Sequence, residues 1–408
     1  HPPFALSIMS ITIPKAPKRF FVGDFAVWAV FFSLCIISLV EVYSAGTYLA
    51  IEAHSYFSPL VRQISYLALA ALAAFVVQFI HFRYVYHLAL LGGLASFLLL
   101  LATYFIGQNI NNGTRWISIF GLSIQPSELN KLCVILYATA FMANAQKPDG
   151  STRKVAFSVL FPTFVSFAMI APQNLSTALL LVVSVFAILF IGNVPWRNFL
   201  KSIGIFSVMA VIMLAGLWLY YGPNSTATQR FTTWSSRLEK KEERPKDPRE
   251  FVVTDKNRQV THANIAFASS NVYGRGPGNS VQRDYLAAAY SDFIFAIIGE
   301  ELGLAGCFLV VLLYMILFVR TYYIAKQCAG RAPAFIVMGI GTILLIQAFA
   351  NMAVAVGLVP VTGQPLPLVS KGGSSNLITG IYFGIILSIS HYARTCQAEK
   401  AAKNDPEA

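Results

Sequence analysis

The chain has 408 residues, of which 56% are hydrophobic and only 12% charged, with a mean hydropathy of +0.62. A soluble domain carries roughly 25% charged residues and a single core stops growing at roughly 250–300 residues, so an all-aqueous globule is excluded and lipid is the second apolar solvent. A net charge of +12 would suggest nucleic acid in a soluble protein. Here the basic residues fall mainly between hydrophobic runs, which is how membrane topology is written. Membrane lipid and anionic lipid-linked molecules are therefore the expected partners, and nucleic acid is not.

Residues 1–24 form an expected cytoplasmic tail with no signal-peptide apolar core or small-residue cleavage site. The chain begins with His1, and Met9 is an alternative natural start. A helix needs about 20 apolar residues to cross the hydrocarbon core. Such runs occur at 25–45, 62–80, 86–106, 128–146, 154–172, 176–193, 198–221, 291–320, 333–358 and 374–392. They predict an all-α integral membrane protein of about ten transmembrane helices, with one membrane domain over 25–396 and a second cytoplasmic tail over 397–408. The run at 291–320 exceeds one span, so part of it is expected to project. With the N-terminus inside, Lys15, Lys18, Arg19, Arg83, Lys147, Arg153, Lys154, Arg197, Lys201, Arg320, Lys326, Arg331, Arg394, Lys400 and Lys403 all fall on the inner side. Arg62, Arg115, Lys131 and Lys371 are the basic residues of the short outer segments. This asymmetry predicts both termini in the cytoplasm. Residues 222–290 form one large hydrophilic loop on the periplasmic side, within which 238–250 reads as a solvated excursion. Cys35, Cys133, Cys307, Cys328 and Cys396 lie in or beside apolar runs without metal-ligand spacing, so they are read as membrane fillers. The six histidines form no ligand cluster, and no metal site is expected.

Four outer stretches gather polar groups beside apolar spans, where ionisable residues are functional candidates. In 111–132, Trp116 and Ser127 fit an interfacial helix with an aromatic anchor and a cap. The functional alternative has Arg115, Glu128 and Lys131 facing a polar cavity. Residues 172–177, PQNLST, read as a tight turn. In 271–304, Gly274, Gly276 and Gly278 permit close backbone approach, and no strand precedes them, which excludes a dinucleotide fold. Asp292 follows at the mouth of an apolar span. Glu300 and Glu301 come eight and nine residues later, a spacing that puts them on roughly the same helix face. Asp292 is the candidate acid, with a helix cap as its plainer reading. Glu300 and Glu301 are expected to be structural, held by basic side chains or freed backbone groups. In 351–375, Pro365, Pro367 and several glycines interrupt an apolar run. Non-helical backbone at membrane depth survives only where protein covers it or water lines it, so a re-entrant or broken segment is expected. Gly372 and Gly373, flanked by Ser370 and Lys371, would present N–H groups to an anion at the next helix.

The stretches RW at 115–116, QPSE at 125–128 with Lys131, QNLST at 173–177, SDFIFA at 291–296, EELG at 300–303 and PVTGQPLPLVSKGGSS at 360–375 stand in order along the chain. Together with the ten-span layout they resemble the SEDS family (shape, elongation, division and sporulation; FtsW, RodA and SpoVE). The resemblance implies an inner-membrane peptidoglycan glycosyltransferase that polymerises lipid II, with its active site on the periplasmic side. Asp292 matches the family's essential acidic position, and Arg115 and Lys131 match basic positions tied to substrate handling. Glu128, Lys371, Ser370, Gly372 and Gly373 are further substrate-binding candidates. Glu300, Glu301, Gly276, Gly278, Pro365 and Pro367 are structural ones. The chain departs from the family pattern at Asn174, Ala287 and Lys371. Asn174, standing where an acid is usual, argues against a required carboxylate there. The Val361-Thr362-Gly363 step resembles the division branch more than the elongation branch. The implied partners are lipid II, a class B penicillin-binding protein and divisome proteins. A divalent cation such as Mg²⁺ would be held mainly by diphosphate and one carboxylate. A lipid II flippase, an elongation polymerase and a non-catalytic scaffold are the alternatives. Clustering of the charges on the outer side favours chemistry there.

Overall fold

The computed structural model describes residues 22–46, 55, 57–110, 113–119, 122–145, 153–221, 257–286 and 289–404. Each of the ten apolar runs forms a helix. In chain order these are α1 (Phe25–Ala45), α2 (Ser58–Val77), α3 (Phe82–Ile106), α4 (Pro126–Ala145), α5 (Arg153–Ile170), α6 (Leu175–Ile191) and α7 (Trp196–Tyr221). After the short α8 (Arg258–Ala268) come α9 (Ile294–Gln327), α10 (Arg331–Ala355) and α11 (Gly373–Asn404). Among the described residues, seven helices are long and apolar enough on their own to cross a membrane. The described parts of α5 and α6 are shorter apolar helices, and α4 carries Glu128 and Lys131 in its first turns. The chain is a multi-pass membrane protein. Residues 222–256 of the long loop, which include the 238–250 excursion, lie outside the described residues, as do Ala287, residues 1–21 and residues 405–408.

Residues 108–124 are not the interfacial helix that the sequence suggested. They form an antiparallel sheet of β1 (Gln108–Ile110), β2 (Gly113–Ile119) and β3 (Leu122–Ile124) in the order β1-β2-β3. The β-branched residues Thr114, Ile117, Ile119 and Ile124 favour extended backbone. The Asn112-Gly113 pair is a strong hairpin signal. Helix α4 then starts at Pro126, so Ser127 lies inside the first turn and does not cap it. A proline at a helix start gives up an N–H that has no partner there anyway.

Helix ends follow local chemistry. The Asp24 carboxylate accepts from Ala26 N at 2.8 Å and caps α1, and Asn174 Oδ1 accepts from Thr177 N at 3.3 Å and caps α6. Packing relies on small residues, as expected where lipid supplies no hydrophobic drive between helices. On α11, Gly380 and Gly384 lie against Ala70 and Ala74 of α2, where an added Cβ would meet the α2 carbonyls at 2.2 and 2.9 Å. At the end of the bundle where α1 starts, Arg320 of α9 pairs with buried Asp24, and Arg394 of α11 lies 3.8 Å from it. This ties three helices around one carboxylate.

The over-long run is resolved by a break inside α9. Gly303 has φ 69° and ψ −165°, a region essentially closed to residues with a Cβ. The helix interrupts there because the 271–276 loop crosses it. A Cβ on Gly303 would lie 2.3 Å from Gly274 N and 2.4 Å from Asn271 O. Leu304 N and Ala305 N donate to Asn271 O and Val272 O.

Candidate functional site

The end of the bundle opposite Asp24 gathers the β-sheet, the α5–α6 turn, the turn before α9 and the non-helical segment 356–372. Asp292 belongs to the turn at 289–293, ahead of α9. It is therefore not on the helix that carries Glu300 and Glu301, and the shared-face expectation fails because the helix begins only at Ile294. The Asp292 side chain is half-buried. Ser291 Oγ donates to its Oδ1 at 3.3 Å, and a Cβ built on Gly363 would stand 3.6 Å from its Oδ2. Gly363, at φ 67°, thus brings bare backbone up to the carboxylate.

The broken segment is the wall of this site. Its carbonyl oxygens cannot use a helix ladder, and an unpaired one in the membrane costs several kcal/mol. Side chains from surrounding helices supply the donors. Asn351 Nδ2 donates to Gln364 O at 2.8 Å, Gln347 Nε2 to Pro365 O at 3.2 Å and Tyr314 OH to Pro367 O at 2.6 Å. Ser38 Oγ donates to Val369 O at 2.8 Å, and Asn376 Nδ2 to Ser370 O at 3.3 Å. Gln364 in turn reaches Thr177 Oγ1 of α6 at 2.8 Å. The carbonyls of Pro365 and Pro367 are thus held by α10 and α9.

Ser370 is fully buried. Its hydroxyl accepts from Leu366 N at 2.8 Å and donates to Ser291 O at 2.6 Å. It ties the broken segment to the residue before Asp292. Lys371 N donates to Tyr290 O at 2.9 Å, and Lys371 Nζ lies 5.1 Å from the Tyr290 ring centroid. Its charge is thus placed two residues from Asp292 along the same turn. Gly372 and Gly373 are half-buried at the start of α11, and Ser374 Oγ accepts from Gln125 N at 3.2 Å.

Glu128 and Lys131 do not face open space. Their oxygen and nitrogen atoms are 2.9 Å apart, with side chains 4% and 0% exposed, and Lys131 Nζ also donates to Gln347 Oε1 at 3.0 Å. Burial of two charges requires such pairing inside the protein. Arg115 lies on β2, and its side chain is outside the described residues.

Glu300 and Glu301 are fully buried and clasp the glycine loop. Glu300 accepts from Val281 N and Gln282 N, both at 3.1 Å, and from Ser280 Oγ, with Arg275 at 3.5 Å. Glu301 accepts from Gly278 N at 2.9 Å, Ser280 N at 3.2 Å and Ser44 Oγ. Gly276 and Gly278, at φ 87° and 83°, shape the loop that delivers these N–H groups. A cavity of about 570 Å³ between α3, α4 and α5, lined by Gly93, Asn130, Tyr137 and Pro162 among others, lies apart from this cluster.

Sequence reasoning missed Gln347, Asn351 and Gln364. The available signal was the pair of amides four residues apart inside the apolar α10, which puts both on one face.

The FtsW/RodA/SpoVE model, described as a cell cycle protein, matches residues 24–395. A relative from Nitrosomonas europaea, named probable peptidoglycan glycosyltransferase FtsW, is 32% identical over 365 residues, covering 86% of this chain and 89% of the relative. One of the same name from Enterococcus hirae is 29% identical over 373 residues, covering 90% and 92%. A chain solved in a study of structural coordination of polymerization and crosslinking by a peptidoglycan synthase complex has a TM-score of 0.68 at 24% identity. It covers 91% of this chain and 98% of that one and shares the fold. With the family model matching nearly the whole length, the chain belongs to the FtsW/RodA/SpoVE family of cell cycle proteins.

Proposed function

We propose that the chain is a peptidoglycan glycosyltransferase of the bacterial inner membrane. In this reading it polymerises lipid II into β-1,4 glycan strands on the periplasmic side, with both termini in the cytoplasm. The observation that carries the reading is the placement of Asp292, half-buried in a non-helical turn at the end of the bundle with the backbone of Gly363 brought up to its carboxylate. The names of the relatives support the same activity.

Asp292 acts as general base. Its carboxylate takes the proton from the 4-hydroxyl of one lipid-linked disaccharide as that oxygen attacks the anomeric carbon of another. Such a base contributes typically about 10²- to 10⁴-fold in rate. Attack opposite the leaving group inverts an α-linked donor, and undecaprenyl diphosphate departs without a strong general acid. Lys371, whose ammonium lies over the ring of Tyr290 two residues before Asp292, and Arg115 offset the growing diphosphate charge. A Mg²⁺ brought in with the substrate would be held chiefly by the diphosphate, with one protein carboxylate, and would supply further charge stabilisation to the leaving group. The Val361-Thr362-Gly363 step favours the division branch, working with a class B penicillin-binding protein and divisome proteins.

The test is glycan-strand formation from purified lipid II in liposomes, with the transpeptidase partner present, comparing wild type with Asp292→Asn. Polymer from wild type alone is the expected result. Polymer from a folded Asp292→Asn removes the base. Lipid II crossing the membrane with no polymer from either protein replaces the polymerase with a flippase.

A further inference from the structure

Asn351 is 1% exposed and lies near the end of α10, whose amide side chains reach the site. Its single NH₂ group donates to two carbonyl oxygens of different segments, Asp292 O at 3.0 Å and Gln364 O at 2.8 Å. The two hydrogens of a planar amide diverge at a fixed angle, so satisfying both carbonyls fixes the two backbones relative to each other. One of those backbones carries the carboxylate, and the other carries Gly363, on which an added Cβ would stand 3.6 Å from Asp292 Oδ2. One helical turn earlier, Gln347 takes Lys131 Nζ on its oxygen and gives its amide to Pro365 O. Two successive carbonyls of the broken segment thus hang from one face of α10, and Asn351 in addition holds Asp292 O. Ser370 closes the far side by donating to Ser291 O.

We propose that Asn351 is a positioning residue for Asp292, setting the gap between the carboxylate and the Val361–Leu366 wall in which the sugar hydroxyl must sit. This rests on the polymerase reading above. Asn351 touches no reacting atom; it acts through the backbone of Asp292. Misplacing a reacting group by about 1 Å costs on the order of 10²-fold, so loss of the bracket should appear in kcat.

The experiment compares wild type, Asn351→Ser, Asn351→Asp and Asp292→Asn in lipid II polymerisation with the partner present, each normalised to folded protein by size-exclusion chromatography. Asn351→Ser is too short to reach both carbonyls, and Asn351→Asp keeps the shape but has no donor when ionised and only one when protonated, so it cannot serve both carbonyls. The expected result is a fall in kcat of roughly 10- to 100-fold for both Asn351 variants, KM for lipid II within a factor of about two, and a displaced acid limb of the pH–rate profile, because the base has moved. If Asn351→Ser does not fold, Asn351→Asp carries the test alone. Wild-type kcat per folded molecule, or a loss confined to KM, overturns the proposal. An active Asp292→Asn sinks the polymerase reading itself, whereas an inactive Asp292→Asn beside fully active Asn351 variants sinks only the positioning role.

Discussion

The buried pair of Glu128 and Lys131 gives a sharp test of how this site is built. Lys131→Met keeps the apolar stem and removes the ammonium. In wild type the two charges stand 2.9 Å apart with almost no exposure. With an effective dielectric constant of about 20, the attraction at that separation is roughly 6 kcal/mol, much of which offsets the cost of taking both charges out of water. Removing one partner leaves Glu128 buried and uncompensated, a loss of about 3–5 kcal/mol, and Gln347 Oε1 also loses its Lys131 donor. The double change Glu128→Gln with Lys131→Met removes the stranded charge and should recover most of that loss, since replacing a whole buried pair is often neutral. Detergent-solubilised wild type, both single variants and the double would be unfolded with SDS and followed by tryptophan fluorescence. A Lys131→Met protein as stable as wild type refutes the buried-pair argument. So does a double variant no more stable than Lys131→Met.

Two further outcomes follow from the α9 clasp. Gly303→Ala should cost at least about 1–3 kcal/mol from backbone strain alone, with the 2.3 Å contact to Gly274 N added; hydrogen exchange at the Leu304 and Ala305 amides should quicken, and unchanged protection there would contradict the crossing. Glu300→Gln weakens charge-assisted acceptance from Val281 N and Gln282 N. It should destabilise the loop by about 1–3 kcal/mol, read as protease cleavage within 275–283 that wild type resists.

The ten helices were legible because the bilayer leaves only one signal to read: apolar length. Where backbone had to leave the helix, legibility depended on the residue. Prolines and glycines between 357 and 373 announced the broken segment, and the glycines before Asp292 announced a loop. The strand pattern of 113–119 was overlooked because Trp116 beside apolar residues reads equally well as a membrane anchor. Shared-face reasoning for Asp292, Glu300 and Glu301 assumed one uninterrupted helix, and nothing in the apolar run from Ile294 onward marks where that helix starts. The partners of Lys131 lay in the tertiary structure. A Lys three residues after a Glu fits both a surface pair and a buried one, and only Gln347, far along the chain, makes the second complete.

A protein confined to a bilayer has few ways to hold a carboxylate at a fixed point outside a helix. The backbone that brings it there must itself be satisfied, and here polar side chains on otherwise apolar helices meet that need. Ser38, Tyr314, Gln347, Asn351 and Asn376 each give a donor to a carbonyl of the broken segment, and they come from α1, α9, α10 and α11. None of these residues is charged, so none adds the cost of an unpaired ion. Asn351 also bonds Asp292 O, and Ser370 bonds Ser291 O, so the turn that carries the carboxylate is tied both to α10 and to the broken segment that four helices hold. A shift in any one of those helices would reach Asp292 through that segment, so the packing of the whole bundle bears on a site that touches only its end.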